Sequence, residues 1–209
     1  MTHTEQRSDA WHQERVGIPT ASRLGDMLSV LKNGAKSQKY IDYFNEKLVE
    51  RLTGNRVETY TNEAMRWGTH HEDAAISMYE TQTFSTVERT GLITLDINGL
   101  HKFGASPDGL LHDKAIEVKC PFNSIRHLNV IENGESAIDE AYILQMQGVM
   151  LVTGKQLCDF ITYDPRMPDH LQIHVVTIKR DDDIINRIIN AVIDFSVALD
   201  EKQAFFLEK

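Results

Sequence analysis

Asp108, Glu117 and Lys119 are the residues whose types and spacing most directly suggest chemistry. They lie in Ser106-Pro107-Asp108-Gly109-Leu110-Leu111-His112-Asp113-Lys114-Ala115-Ile116-Glu117-Val118-Lys119. Pro107 disfavours continued ladder bonding, so Asp108 falls at a strand end beside Gly109. The polar stretch His112, Asp113 and Lys114 reads as a hairpin turn that returns the chain antiparallel, alongside Asp108. On the returning strand Glu117 and Lys119 share one face, while Ile116 and Val118 point the other way. Two carboxylates and an ammonium would then converge on one pocket. Paired carboxylates suit Mg²⁺ or Mn²⁺, hard cations that prefer oxygen ligands. An ion held there lowers the pKa of a bound water and polarises a phosphate, and the lysine could orient the water or neutralise developing charge. By spacing alone, a turn aspartate and an exposed Glu–Lys pair remain an equal alternative.

The elements that must position these residues are legible from periodicity. Short runs rich in Val, Ile and Leu at 86–97, 101–106, 115–119, 157–163 and 171–178 predict strands. Helices are predicted at 20–31 with Leu24, Met27, Leu28 and Leu31 inward, at 39–53 with Gly54 as stop, and at 63–80, where Met65, Ala75, Ile76 and Tyr79 form the apolar set. Two more are predicted at 138–152 and 181–207. The order predicts an α/β fold with a mixed central sheet flanked by helices.

The chain has 209 residues, 41% hydrophobic and 25% charged, which predicts a single domain over 1–209, with residues 1–10 frayed. No apolar run approaches the roughly 20 residues of a membrane helix. The polar N-terminus lacks a signal-peptide pattern, so a cytoplasmic location is expected. Cys120 and Cys158 are too few for a disulfide framework or a four-thiolate cluster and read as core residues. A net charge of −9 argues against a simple nucleic-acid coat protein but leaves DNA open as a substrate.

Further blocks extend the pattern. Trp11-His12-Gln13-Glu14-Arg15-Val16-Gly17-Ile18-Pro19-Thr20-Ala21-Ser22, Trp67-Gly68 with Glu72, Ser106-Pro107-Asp108-Gly109, Glu117-Val118-Lys119-Cys120-Pro121-Phe122, Gln145-Met146-Gln147 and Tyr163-Asp164-Pro165-Arg166-Met167 occur in that order. Together they resemble the phage lambda exonuclease family, the YqaJ-type viral recombinases or alkaline exonucleases, with a restriction-endonuclease-like PD-(D/E)xK core. A prophage-encoded member from a bacterium is the expectation.

The resemblance implies that Asp108 and Glu117 bind metal, with the Val118 carbonyl as a further ligand, and that Lys119 works on the attacking water. It implies that Glu72 holds a second ion; otherwise Glu72 is an exposed helix carboxylate. Gln145 would stand beside the nucleophilic water, or be an ordinary helix-surface residue. Arg15, Ser22 and Ser106 would hold a 5′-phosphate, a contact suited to guanidinium and hydroxyl donors, although Ser22 alone reads as a helix cap. Met65 would be a wedge at the terminal base pair, or a core methionine. Asp96 is a candidate extra acidic residue. His70, His71, His101 and His112 show no ligand spacing, and Arg56, Arg66, Lys102 and Arg126 are candidates to line a DNA channel.

The implied activity is processive, Mg²⁺-dependent 5′→3′ digestion of linear double-stranded DNA, with two ions per site and Mn²⁺ as a substitute. It releases 5′-mononucleotides and leaves 3′ single-stranded tails for single-strand-annealing recombination. The implied assembly is a homotrimer ring working with a single-strand annealing recombinase, with no membrane involved. Rivals are an endonuclease of restriction or resolvase type on the same core, or a non-catalytic DNA-binding protein. An iron–sulfur exonuclease needs four cysteines and is excluded.

Overall fold

A four-stranded mixed sheet carries the hairpin predicted above. The computed structural model describes residues 4–58 and 60–209. Strands β3 (Gly109–Leu110), β4 (Lys114–Lys119), β5 (Leu157–Tyr163) and β6 (Ile173–Lys179) lie in the order β3-β4-β5-β6. β3 and β4 pair antiparallel with Gly109 opposite Ile116, and the Leu111 N–H closes the turn on the Lys114 carbonyl at 2.8 Å. β4 and β5 run parallel, Glu117 beside Phe160, and β6 returns antiparallel to β5. A parallel pair needs a crossover. Here it is made by helices α5 (Ser124–Asn133) and α6 (Glu140–Thr153). A separate ribbon, β1 (Ile93–Ile97) with β2 (His101–Ala105), delivers the chain to the motif.

Side-chain alternation along β4 splits the core as predicted. Ile116 and Val118 pack with Ile161 beneath Ala75, Ile76 and Tyr79 of helix α4 (Glu63–Thr83). Ala115 faces the opposite layer, with Cys158, Phe160, Met146, Val149 and Met150. Ile188, Val192, Phe195 and Leu199 of helix α7 (Asp182–Leu207) complete that layer, together with Tyr43 and Leu48 of helix α3 (Gln38–Thr53). Both cysteines are free and buried. Asn62 caps α4 through the Met65 N–H, and Gly54 ends α3 in the left-handed conformation.

Several boundaries differ from the sequence reading. The helix expected over 20–31 is a 3₁₀ turn at Ala21–Arg23 followed by a single α turn, α2 (Leu24–Met27). Gly25 is a poor helix former, and a Cβ there would stand 2.9 Å from the Ala141 Cβ, so close packing rather than propensity shapes this segment. Val30 then bridges to Lys36, and Leu31 is exposed rather than inward.

The strand expected from 86 begins only at Ile93, because residues ahead of it serve another purpose. A Cβ on Gly91 would lie 2.3 Å from the Thr4 carbonyl oxygen, so the N-terminal segment runs directly against it. Residues 4–8 accordingly make specific contacts with the rest of the chain. Gln6 donates to the carbonyls of Thr90 (2.9 Å) and Pro107 (2.7 Å), and Ser8 caps helix α1 (Asp9–Glu14). Residues 1–3 of the expected frayed stretch lie outside the described residues. Helices α1 and α5 were not predicted; α5 buries only His127 and Val130 and leaves Ile125 and Leu128 exposed.

Candidate active site

The hairpin brings Asp108 against β4. Its backbone N–H donates to the Ile116 carbonyl at 3.1 Å, and its Oδ2 accepts the Val118 N–H at 2.7 Å. Glu117 is 1% exposed. Its Oε1 accepts from the Lys119 ammonium and from the Gln145 amide, the latter at 2.6 Å, so α6 supplies a third side chain to the pair. Its Oε2 is buried with no hydrogen-bond partner. Lys119 also lies 4.8 Å from the centre of the Tyr142 ring.

Glu72 approaches from α4 and is itself buried, which rules out the exposed helix carboxylate. It pairs with Arg7, and an Arg89 nitrogen stands 3.8 Å away. Arg89 also pairs with Asp73 and donates to the Asp108 carbonyl at 2.8 Å.

Three carboxylates in one site repel one another's charge. Burial, then the Glu117 charge, pushes Asp108 up to about 7. Burial raises Glu117, opposed by Lys119 and reinforced by Glu72; burial and Asp108 likewise raise Glu72. Burial lowers the Lys119 pKa, but the two carboxylates outweigh it, so the ammonium stays protonated.

The residues fit a hard divalent cation. Asp108, Glu117 and Glu72 offer oxygen only, the orphaned Oε2 of Glu117 needs a partner, and Val118 lines the same cavity. Among the described residues no group of three or more His, Cys, Asp or Glu side chains closes on one point; Glu72 pairs with Arg7 and Glu117 with Lys119.

On the far wall of this cavity, about 200 Å³ in volume, sits a cluster built on Arg15. Its guanidinium donates to Ser106 Oγ (3.1 Å), Ser22 Oγ (3.2 Å) and Thr20 Oγ1 (3.3 Å), and lies 4.3 Å over the Trp11 ring. Trp11 Nε1 donates to the same Ser106 oxygen at 3.0 Å. Burial lowers the Arg15 pKa, with Arg56 and Arg23 adding to it. Ser22 stands in the 3₁₀ turn and accepts from Arg15 rather than capping a long helix.

A wider groove of about 930 Å³ adjoins the site past Glu72 and Lys119. Met65 lines it and is 52% exposed, so the core methionine of the helix-face reading is corrected. Of the channel candidates, Arg126 lines the groove and pairs with Asp139, whereas Arg66 and Lys102 line neither cavity. Arg56 stands near enough to act on Arg15 and His12. Asp96 is exposed on β1 opposite Lys102, away from both cavities. His71 packs on Trp67 at 4.1 Å; His70, His101 and His112 line neither cavity. Sequence reasoning missed Gln6, Arg7, Arg89 and the contact Thr20 makes with Arg15. Gln6, Arg7 and the Ser8 cap of α1 lie just ahead of the Trp11 block, and that proximity was the available signal.

A mixed sheet presenting Asp108, Glu117 and Lys119 from one hairpin, with Glu72 facing them, defines a nuclease core of the PD-(D/E)xK type. The chain belongs to the YqaJ-like viral recombinase domain family, whose model matches residues 10–156. It is similar to the alkaline exonuclease LHK-Exo from Laribacter hongkongensis, with 36% identity and a TM-score of 0.85 over 96% of this chain and 97% of that one. The LHK-Exo complex with dAMP matches at 37% identity and a TM-score of 0.84, covering 95% of this chain and 96% of that one. A phage-related exonuclease from Haemophilus somnus shares the fold at 18% identity and a TM-score of 0.67, over 88% of this chain and 96% of that one. No curated protein matches the sequence. Among the described residues no helix is long and apolar enough to cross a membrane.

Proposed function

We propose that this protein is a Mg²⁺-dependent exonuclease that loads on the ends of linear duplex DNA. It digests the 5′-ended strand in the 5′→3′ direction, releasing 5′-mononucleotides. The observation that carries this reading is Arg15. A half-buried guanidinium ringed by three hydroxyls, with no carboxylate within ion-pair distance among the described residues, suits a phosphate. It shares one cavity with the carboxylates and Lys119. A terminal 5′-phosphate on Arg15, Ser22 and Ser106 would present the first internucleotide linkage to Asp108 and Glu117. The similarity to an alkaline exonuclease, and to its complex with a nucleoside monophosphate, supports the same reading.

Asp108, Glu117, the Val118 carbonyl and Glu72 would hold two Mg²⁺ ions, for which Mn²⁺ substitutes. Bound there, the metal supplies an acidified water and a Lewis acid for the departing oxygen. The chain's own groups do the rest. Lys119 and Gln145 fix the Glu117 carboxylate through one oxygen, leaving the other for coordination. Both stand where they can orient an attacking water, and the Lys119 charge offsets that of the phosphorane-like transition state. Met65, which lines the groove, would press on the terminal base pair.

Three copies in a ring would make digestion processive by topology, which suits a chain of net charge −9. The 3′ tails would pass to a single-strand annealing recombinase in the cytoplasm. The test is end dependence. Linear duplex bearing 5′-phosphates should be degraded with Mg²⁺, 5′-hydroxyl ends more slowly, and covalently closed circles not at all. Nicked circles would overturn the reading in favour of an endonuclease.

A further inference from the structure

Arg7 is placed with more care than a surface arginine requires. It adopts φ +69°, a left-handed conformation that residues with a Cβ rarely take. Neighbours on both sides enforce it. Gln6 is pinned by two carbonyls, one of them that of Pro107 next to Asp108, and Ser8 caps the helix that carries Trp11. Thr4 runs against Gly91, where no side chain would fit.

The result is a guanidinium at the border of two spaces. Arg7 lines both the cavity that holds Arg15 and the wider groove beyond Glu72, and its hydrogen-bond partner among the described residues is Glu72. Arg89 is differently committed, to the Asp108 carbonyl and to Asp73. Arg7 is also the more adaptable donor, since a guanidinium in an ion pair through one nitrogen keeps other N–H groups for a second anion.

We propose that Arg7 is a further substrate-contacting residue, binding the phosphodiester at the first internucleotide linkage. This rests on the exonuclease reading, in which Arg15 takes the terminal phosphate. A strand running from Arg15 across the cavity toward the groove passes the Glu72 edge, where Arg7 stands. Arg15 and Arg7 then read successive phosphates, which sets the step at one nucleotide.

The test is binding of a 5′-phosphorylated duplex in Ca²⁺, which supports binding without efficient cleavage. The first linkage is either a phosphodiester or a neutral methylphosphonate. Wild-type protein should prefer the charged linkage by about tenfold, and Arg7→Ala should reduce that preference about fivefold. Arg7→Lys, which keeps the charge but not the fork, should restore part of it. If Arg7→Ala weakens both duplexes equally, Arg7 is only a counter-ion for Glu72 and the inference is overturned. A wild-type protein that neither binds nor shortens such duplexes with any divalent ion overturns the exonuclease reading, and this inference with it.

Discussion

Gln145 donates to Glu117 at 2.6 Å, on the same carboxylate oxygen that Lys119 holds. One oxygen of Glu117 therefore carries both protein partners and the other, buried, carries none. A carboxylate arranged only for stability would spread its partners, since a buried unpaired acceptor costs roughly 1–3 kcal/mol. This asymmetry leaves an oxygen for the proposed metal. Gln145→Ala is expected to keep the fold and to lower kcat by about 10- to 100-fold, as the carboxylate loses one of its two restraints. Unchanged kcat in a folded Gln145→Ala protein would remove the amide from the site.

Asp108→Asn, Glu117→Gln and Lys119→Ala should each abolish cleavage without unfolding the chain. Because the three carboxylates repel, the first two should raise the melting temperature without metal, or at least not lower it. Cleavage at the wild-type rate by any of them, purified and supplied with Mg²⁺, would refute the site.

The pH dependence follows from Asp108. Its folded pKa of about 7 lies above its ordinary 3.8, so the folded state holds the proton more tightly than the unfolded chain does. The stability that proton confers is present at acid pH and is lost as pH rises toward 7. Deprotonation would ready the carboxylate for the proposed metal at the same time. The rise in melting temperature produced by Mg²⁺ should therefore be small at pH 6 and larger at pH 8, as should activity. Asp108→Asn, which should not cleave, should flatten the pH dependence of the Mg²⁺ stabilisation. Equal Mg²⁺ stabilisation at pH 6 and pH 8 in the wild type would contradict this.

Arg15→Ala should cost about 10- to 100-fold in kcat/KM on 5′-phosphorylated ends, from charge-assisted hydrogen bonds of roughly 1.5–3 kcal/mol, and much less on 5′-hydroxyl ends. Equal losses on the two ends would mean that Arg15 serves some other purpose.

Gly148 tests how packing reaches the site. Its added Cβ would lie 2.6 Å from Leu24 Cδ1 and 3.0 Å from the Ala21 Cβ. Gly148→Ala should cost about 1–3 kcal/mol and push the 3₁₀ turn, with Ser22, away from Arg15. Thermal melts should show the destabilisation, and the preference for 5′-phosphate should weaken in parallel. A full preference in the destabilised protein would uncouple the two.

Asp108, Glu117 and Lys119 were readable because a hairpin turn and a period of two fix their relation within a dozen residues. Arg15, Ser22 and Ser106 come from segments that no local period connects, and only the motif blocks joined them. Arg7 escaped because its placement depends on Gln6 reaching Thr90 and Pro107, contacts far apart in sequence. Met65 was read with the apolar face of its helix, yet it precedes the first buried turn of α4 and faces the groove. β2, β4, β5 and β6 were located closely from composition, whereas β1 starts later than expected and the two-residue β3 was not predicted. The segments shaped by close backbone approach, at Gly25 and Gly91, were not located, since clearance is a property of the folded neighbours.

The central claim is metal-dependent digestion of one strand from a DNA end. It is tested most directly on a linear, 5′-phosphorylated duplex labelled separately at the two strands of one end, with Mg²⁺ or with EDTA. The account predicts labelled mononucleotide from the 5′-ended strand only, no release from the 3′-ended strand, and no cleavage in EDTA. Release from the 3′ end, internal fragments, or digestion that persists in EDTA would contradict it.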